Sequence, residues 1–119
     1  MLGELQLEVM QVVWELSDAT VAEVHERLAQ ERPIAYTTVL STMRALEKRK
    51  FLEHTREGKA HRFHATIAEQ DYRNARVEDL IERHFGGKPE RLVSHLLGGD
   101  EVRPKDLRRI RKLLDGEAP

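Results

Sequence analysis

Hydrophobic residues recur at helical spacing in three segments of the first half of the chain. In residues 5–16, leucines and valines spaced three or four positions apart predict the first helix. A second helix is predicted over residues 21–30. Thr20, followed three residues later by Glu23, has the spacing of a capping box at its start. The third predicted helix covers residues 35–50, after a proline that should turn the chain.

Two short strands should follow the third helix. The segments "FLEHT" and "HRFHATI" have moderate strand character, and "REGKA" between them supplies a glycine-containing turn. Three helices followed by a hairpin is the element order of a winged helix-turn-helix domain, which we assign to residues 1–67. The predicted class is therefore mostly α with a small β-hairpin wing.

The remaining residues, 68–119, are predicted to form a helical dimerisation region. Apolar stripes predict helices over residues 69–85 and 89–97 and a last helix from Pro104. A segment of about 50 residues buries little apolar surface alone, and two-fold homodimers are the commonest oligomers. The alternative is that these helices fold back on the N-terminal core of the same chain. The predicted interface residues are Tyr72, Leu80, Ile81, Phe85, Leu92, Leu96, Leu107, Ile110 and Leu114.

The third predicted helix has two chemically different sides. At about 100° per residue, Val39, Met43 and Leu46 fall on one side. The opposite side carries hydroxyl groups near its start and cations further along. Such a side suits the DNA major groove, because small hydroxyl residues allow close approach to base edges and arginine can bind guanine. The predicted base-reading residues are Thr37, Thr38, Ser41, Thr42 and Arg44.

Charge is distributed unevenly along the chain, although the net charge is only −1. Residues 1–36 carry −5, residues 37–66 carry +4, and residues 67–119 are neutral. A locally positive block favours a polyanionic partner more than the overall sum suggests. The predicted contacts with the DNA backbone are Tyr36, Lys48, Arg56, Lys59 and Arg62. An ordinary surface helix is also polar on one side, so the competing hypothesis is a winged helix that binds a protein and no operator.

Several kinds of chemistry are disfavoured by the sequence. The chain has no cysteine, which excludes disulfides and thiolate metal ligands. His61 and His64 should face opposite sides of one strand, so we predict no metal site. The serines lack a nucleophile's setting, and the Gly-Gly pairs follow helices instead of opening them as a phosphate loop would. We expect no enzymatic activity, no cofactor and, without a membrane span or signal peptide, a cytoplasmic protein.

Four segments together resemble the penicillinase-repressor family of the BlaI/MecI type, which includes copper-responsive members. They are "LGELQLEVMQVVWEL", "ATVAEVHERLA", "YTTVLSTMRALEKRKFL" and "FGG…LVSHLL", and the resemblance runs from Leu2 to Leu114. It implies a homodimeric repressor that reads a palindromic operator, with Thr37, Thr38 and Ser41 at positions facing DNA. In such repressors, a sensor-linked protease pathway typically relieves repression by a cut near the fifth helix.

The sequence departs from the family pattern at several positions. Ala45 stands where an arginine is usual, and the arginine is displaced to Arg44, which bears on operator sequence. Lys50 occupies the position of a usual glycine. His95-Leu96 aligns with the family's Asn-Phe cleavage pair, so cleavage at this pair and a β-lactam signal do not follow from the resemblance. The absence of cysteine excludes the thiolate mechanism of the copper-responsive members.

Overall fold

The computed structural model of the chain describes residues 1–98 and 103–116. In this part of the chain, helices and short strands follow the predicted order, which confirms a mostly helical fold with a small β wing. The elements are α1 (Glu4–Leu16), β1 (Asp18–Ala19), α2 (Val21–Ala29), α3 (Tyr36–Lys48), β2 (Leu52–Glu57), β3 (Ala60–Ala65), α4 (Glu69–His84), α5 (Pro89–Gly98) and α6 (Pro104–Leu114). No helix among the described residues has the length and apolar character required to cross a membrane.

The core of the N-terminal half lies between α1, α2, α3 and the sheet. The predicted inward-facing residues Val39, Met43 and Leu46 of α3 are fully buried. Thr20 and Glu23 form the predicted capping box, in which the Glu23 amide donates to Thr20 Oγ1 at 3.1 Å and the Thr20 amide donates to Glu23 Oε1 at 2.9 Å. The remaining buried core residues are Leu2, Val9, Met10, Val12, Val13, Ala19, Val21, Val24, Leu28, Leu52 and Phe63.

The wing belongs to a three-stranded antiparallel sheet with the strand order β1–β3–β2. Strand β1, which pairs Ala19 with Phe63, was not predicted, because two residues are too few to show an alternating pattern. The β2–β3 hairpin closes at Gly58 and Lys59, between the paired residues Glu57 and Ala60. Gly58 has a φ of 60°, which glycine adopts without steric cost at the first central position of a tight turn.

The chain leaves α3 through a left-handed residue that is not glycine. Lys50 has a φ of 67°. The Phe51 amide donates to the Leu46 carbonyl at 2.9 Å and the Lys50 amide donates to the Glu47 carbonyl at 3.0 Å, the two hydrogen bonds of a Schellman motif. The helix end is therefore well formed, with the left-handed position occupied by lysine.

The chain divides into two compact units, Met1–Asn74 and Ala75–Pro119. The first unit extends past the predicted boundary at residue 67 and includes Tyr72, which we expected at a dimer interface. Tyr72 is instead half-buried against the core: its ring lies 5.8 Å from that of Trp14 and 6.2 Å from that of Phe51, and its hydroxyl accepts a hydrogen bond from the Leu2 amide at 3.3 Å. Tyr72 therefore serves intramolecular packing.

The second unit leaves several apolar side chains partly exposed. Val77, Leu80, Leu96 and Leu113 are 43%, 40%, 38% and 55% exposed, respectively. The predicted interface residues Ile81, Phe85, Leu92, Leu107 and Ile110 are of intermediate burial, and the side chain of Leu114 lies outside the described residues. Among the described residues of this unit, apolar side chains are therefore exposed on α4, α5 and α6, and two of the exposed residues, Val77 and Leu113, were not in the predicted set.

Candidate nucleic-acid interface

Helix α3 presents a continuous exposed stripe opposite its buried side. Thr37, Thr38, Ser41, Arg44 and Lys48 are all exposed, whereas the opposite side of the helix is fully buried. Three buried side chains spaced by three or four residues fix the rotation of the helix about its axis. The domain therefore fixes which side of α3 can meet a partner.

The hydroxyl groups on this stripe are partly used by the helix itself. Ser41 Oγ and Thr42 Oγ1 donate to the Thr38 carbonyl at 3.1 and 2.7 Å. Their oxygen lone pairs remain available, so in this rotamer each hydroxyl offers an acceptor, suited to the amino groups of adenine or cytosine. Thr42 is only half-exposed and lies at the edge of the stripe.

A groove of about 640 Å³ separates α3 from the wing. Its α3 wall consists of Tyr36, Leu40, Arg44 and Glu47. Residues Thr20, Val21 and Ala22 at the start of α2 line one end, and His54, Lys59, Ala60, His61 and Phe63 line the wing side. The groove was not predicted, because it depends on how the hairpin sits against the helix.

Four of the predicted DNA-contacting cations are free of ion pairs within the described residues. Arg44, Lys48, Arg56 and Lys59 are exposed, and in residues 1–98 and 103–116 no carboxylate lies within 4 Å of their charged groups. Tyr36, at the first turn of α3, is 46% exposed and packs edge-on against the His25 ring at 5.7 Å. These side chains can meet an anion without first breaking an internal salt bridge.

Arg62 has a different environment. Its Nη2 lies 2.8 Å from Asp18 Oδ1 and 3.0 Å from Glu23 Oε1. The hydrogen bond with Asp18 is the main cause that raises the pKa of Arg62 above its ordinary value. Arg62 follows His61 on β3 and so points to the other face of the sheet. It ties β1 and α2 to the wing, and we leave it out of the proposed contact set.

Arg49, at the end of α3, was not predicted to have an internal role. Its guanidinium donates to Gln6 Oε1 at 2.6 Å and to the Met1 carbonyl at 2.8 Å, and it lies 5.2 Å from the centre of the Phe51 ring. The chain start is thereby fastened to the end of α3. Only the folded structure brings these residues together, so no local pattern indicated the contact.

The family model for the penicillinase repressor matches residues 2–116. The chain belongs to the penicillinase repressor family. Among its relatives, the transcriptional regulator BlaI of Mycobacterium tuberculosis is 38% identical over 107 residues, covering 85% of this chain and 77% of that protein. The penicillinase repressor of Bacillus licheniformis is 24% identical over 114 residues, covering 96% of this chain and 89% of that protein.

A solved structure supports the fold of this penicillinase repressor family member. Streptococcus pneumoniae FabT, crystallised in complex with DNA, superposes with a TM-score of 0.51 at 17% identity, covering 97% of this chain and 77% of that one. At this identity the similarity bears on the fold alone. It supports the winged-helix assignment made from the order of helices and strands.

Proposed function

We propose that the protein is a cytoplasmic, homodimeric transcriptional repressor that binds a palindromic operator. Helix α3 enters the major groove and reads bases through Thr37, Thr38, Ser41 and Arg44, with Thr42 at the edge. Tyr36, Lys48, Arg56 and Lys59 contact the sugar-phosphate backbone, which provides affinity and fixes the orientation of the helix. Family membership supports this proposal, and the winged-helix fold is shared with a protein that was crystallised in complex with DNA.

The observation that carries the proposal is the exposed side of α3. It combines small hydroxyl residues with cations that have no carboxylate partner within the described residues, and the buried side holds it in one orientation. Glu47 is the only acidic residue of α3, and its carboxylate contacts His54. The charge on the exposed stripe is therefore positive, as a surface that meets phosphate requires.

Dimer formation is the part of the proposal that involves the second unit. The partly exposed leucines of α4, α5 and α6 offer apolar surface that a second copy can cover. A two-fold dimer presents two copies of α3 related by the same symmetry as a palindromic operator. We propose Leu80, Ile81, Phe85, Leu92, Leu96, Leu107, Ile110 and Leu114 as interface residues, without Tyr72.

Release from DNA is proposed to follow an inducing signal, with cleavage in α5 as one route. His95 and Leu96, which align with the family's cleavage pair, are exposed in the last turn of α5. A cut between them would separate α6 from the rest of the chain and remove part of the proposed interface. A weaker dimer would lose the affinity gained from binding two half-sites together.

A gel-shift titration across a range of salt concentrations tests the DNA-binding proposal. Duplexes selected from a random-sequence pool serve as probe. We expect log affinity to fall linearly with log salt, because bound cations displace counterions from the phosphates. Lys59→Ala should weaken all duplexes alike and reduce the salt slope by about one per protomer, whereas Arg44→Ala should relax base preference at one position per half-site by roughly 1–3 kcal/mol.

Arg27→Ala provides the charge-matched control. Arg27 lies on α2, paired with Glu15, away from the groove-lining residues. The Arg27→Ala variant should have the same base preference and the same salt slope as the wild-type protein. If the wild-type protein shifts no duplex even at low salt, the result would contradict the proposal and favour a winged helix that binds a protein. Unchanged binding in both Arg44→Ala and Lys59→Ala would overturn the roles assigned to these residues.

A further inference from the structure

Two stacked imidazole rings lie in the groove between α3 and the wing. The ring centres of His54 and His61 are 4.2 Å apart, and the ring planes are inclined by 9°. His54 Nδ1 contacts the Glu47 carboxylate of α3, and His61 is exposed. One ring of the pair therefore has an anionic neighbour, whereas the other faces the open groove.

The other charged groups around the stack are mostly cations. Arg44 of α3 and Lys59 of the hairpin turn line the same groove as the stack. Arg56 is the cross-strand partner of His61, so both lie on the same face of the sheet. The start of α2 adds only uncharged residues, and Tyr36 belongs to the α3 wall. An imidazolium at His61 would lie among cations in the free protein and beside an anion once phosphate enters the groove.

In the proposed complex, duplex geometry places a sugar-phosphate strand at this groove. A winged helix with α3 in the major groove and its wing at the neighbouring minor groove straddles the strand that separates the two. That strand must cross the space between α3 and the hairpin, where the groove of about 640 Å³ lies. Arg44 and Lys59, which have no carboxylate within 4 Å among the described residues, line the same space.

We propose that this groove holds one sugar-phosphate strand of the bound duplex and that His61 takes up a proton from solvent as the strand enters. The inference rests on the proposed function and adds a proton-linked affinity to it. In the complex, His54 keeps Glu47 as its anionic neighbour and His61 gains a phosphate. Histidine side chains commonly act as pH switches near neutral pH, which is where this linkage is tested. Because binding takes up a proton, affinity falls as pH rises.

The test measures binding of the full chain to mixed-sequence duplex DNA at fixed low salt between pH 6 and pH 8. Mixed sequence suffices because the contact is to phosphate. We expect affinity per protomer to fall roughly three- to tenfold across this range, since uptake of one proton changes affinity at most about tenfold per pH unit. Titration calorimetry in two buffers of different ionisation enthalpy should show net proton uptake on binding.

His61→Gln should remove both the pH dependence and the proton uptake. His64→Gln is the matched control, because His64 lies on the same strand but on the other face, 3.4 Å from Glu53. It should keep the wild-type pH profile. Equal wild-type affinity at pH 6 and pH 8, or a pH dependence that survives in His61→Gln or disappears in His64→Gln, would overturn this inference while leaving DNA binding intact. Failure to bind DNA at any pH would overturn both proposals.

Discussion

Replacing Lys50 by glycine should stabilise the protein. Lys50 has a φ of 67°, a left-handed conformation that costs a side-chain-bearing residue about 1–2 kcal/mol. Glycine avoids this cost but adds roughly 0.5–1 kcal/mol of unfolded-chain entropy. The Lys50 side chain is exposed, so its removal loses no packing. The difference predicts a gain of about 0.5–1 kcal/mol in the free energy of unfolding.

Urea and thermal unfolding followed by circular dichroism measure this gain. For a cooperative unit of the size of Met1–Asn74, the midpoint should rise by roughly 3–6 °C. Wild type and variants must be compared at equal protomer concentration, because association shifts apparent stability.

Two control variants separate the backbone effect from the loss of a charge. Lys50→Ala removes the same charge but keeps a β-carbon at the left-handed position, and should leave stability nearly unchanged. Lys48→Gly places glycine in the last turn of α3 and should destabilise by up to about 1 kcal/mol. A Lys50→Gly protein no more stable than Lys50→Ala would refute the reasoning from backbone conformation.

Four further substitutions test stability and assembly. Thr20→Ala breaks the capping box and should lower the free energy of unfolding by about 1 kcal/mol in urea titrations. The Glu23 carboxylate accepts a hydrogen bond from the Thr20 amide, and this bond is the main cause that lowers the pKa of Glu23. The ionised carboxylate therefore contributes stability above the ordinary glutamate pKa, and that contribution disappears in acid. Glu23→Gln should flatten this part of a curve of stability against pH. Met43→Ala should cost about 2–5 kcal/mol, seen in chemical unfolding. Leu80→Asp should shift sedimentation equilibrium from dimer towards monomer; an unchanged dimer mass would remove Leu80 from the interface.

The sequence predicted those parts of the fold that depend on local patterns. The α1, α2 and α3 helices agree with their apolar periodicity to within about two residues at each end, and the capping box at Thr20 was read directly from two residue types at fixed spacing. The exposed stripe of α3 follows from the same periodicity, since the positions of Val39 and Met43 fix where the polar residues must lie.

Features that depend on distant partners could not be predicted in the same way. From the sequence, Arg62 is indistinguishable from the other cations of the wing. In the folded structure β1 places Asp18 beside it, although the two residues are 44 positions apart in the chain. Tyr72 fits the apolar stripe of α4, but its contacts with Trp14 and Phe51 appear only once the helix packs. Periodicity shows which side of an element is apolar; it does not show which surface covers that side.

The same limit applies to the groove between α3 and the wing. The histidines of the hairpin were visible in the sequence, and His61 and His64 were correctly separated onto opposite faces of β3. The stacking of His54 on His61 and the contact of His54 with Glu47 depend on hairpin register and on the approach of the wing to α3. The sequence therefore indicated the chemical groups of the candidate site but not their arrangement.

Cysteine protection tests the central claim most directly, namely that the exposed side of α3 meets duplex DNA. Because the chain has no cysteine, Ser41→Cys introduces a unique thiol on that side, and Gln11→Cys introduces one at an exposed position of α1 as control. The alkylation rate of each variant is measured with and without saturating duplex. We predict that DNA slows alkylation at position 41 at least tenfold, because only unbound protein reacts there and saturating duplex leaves less than about a tenth of the protein unbound. The alkylation rate at position 11 should not change. Equal alkylation rates at position 41 with and without bound DNA would contradict the account.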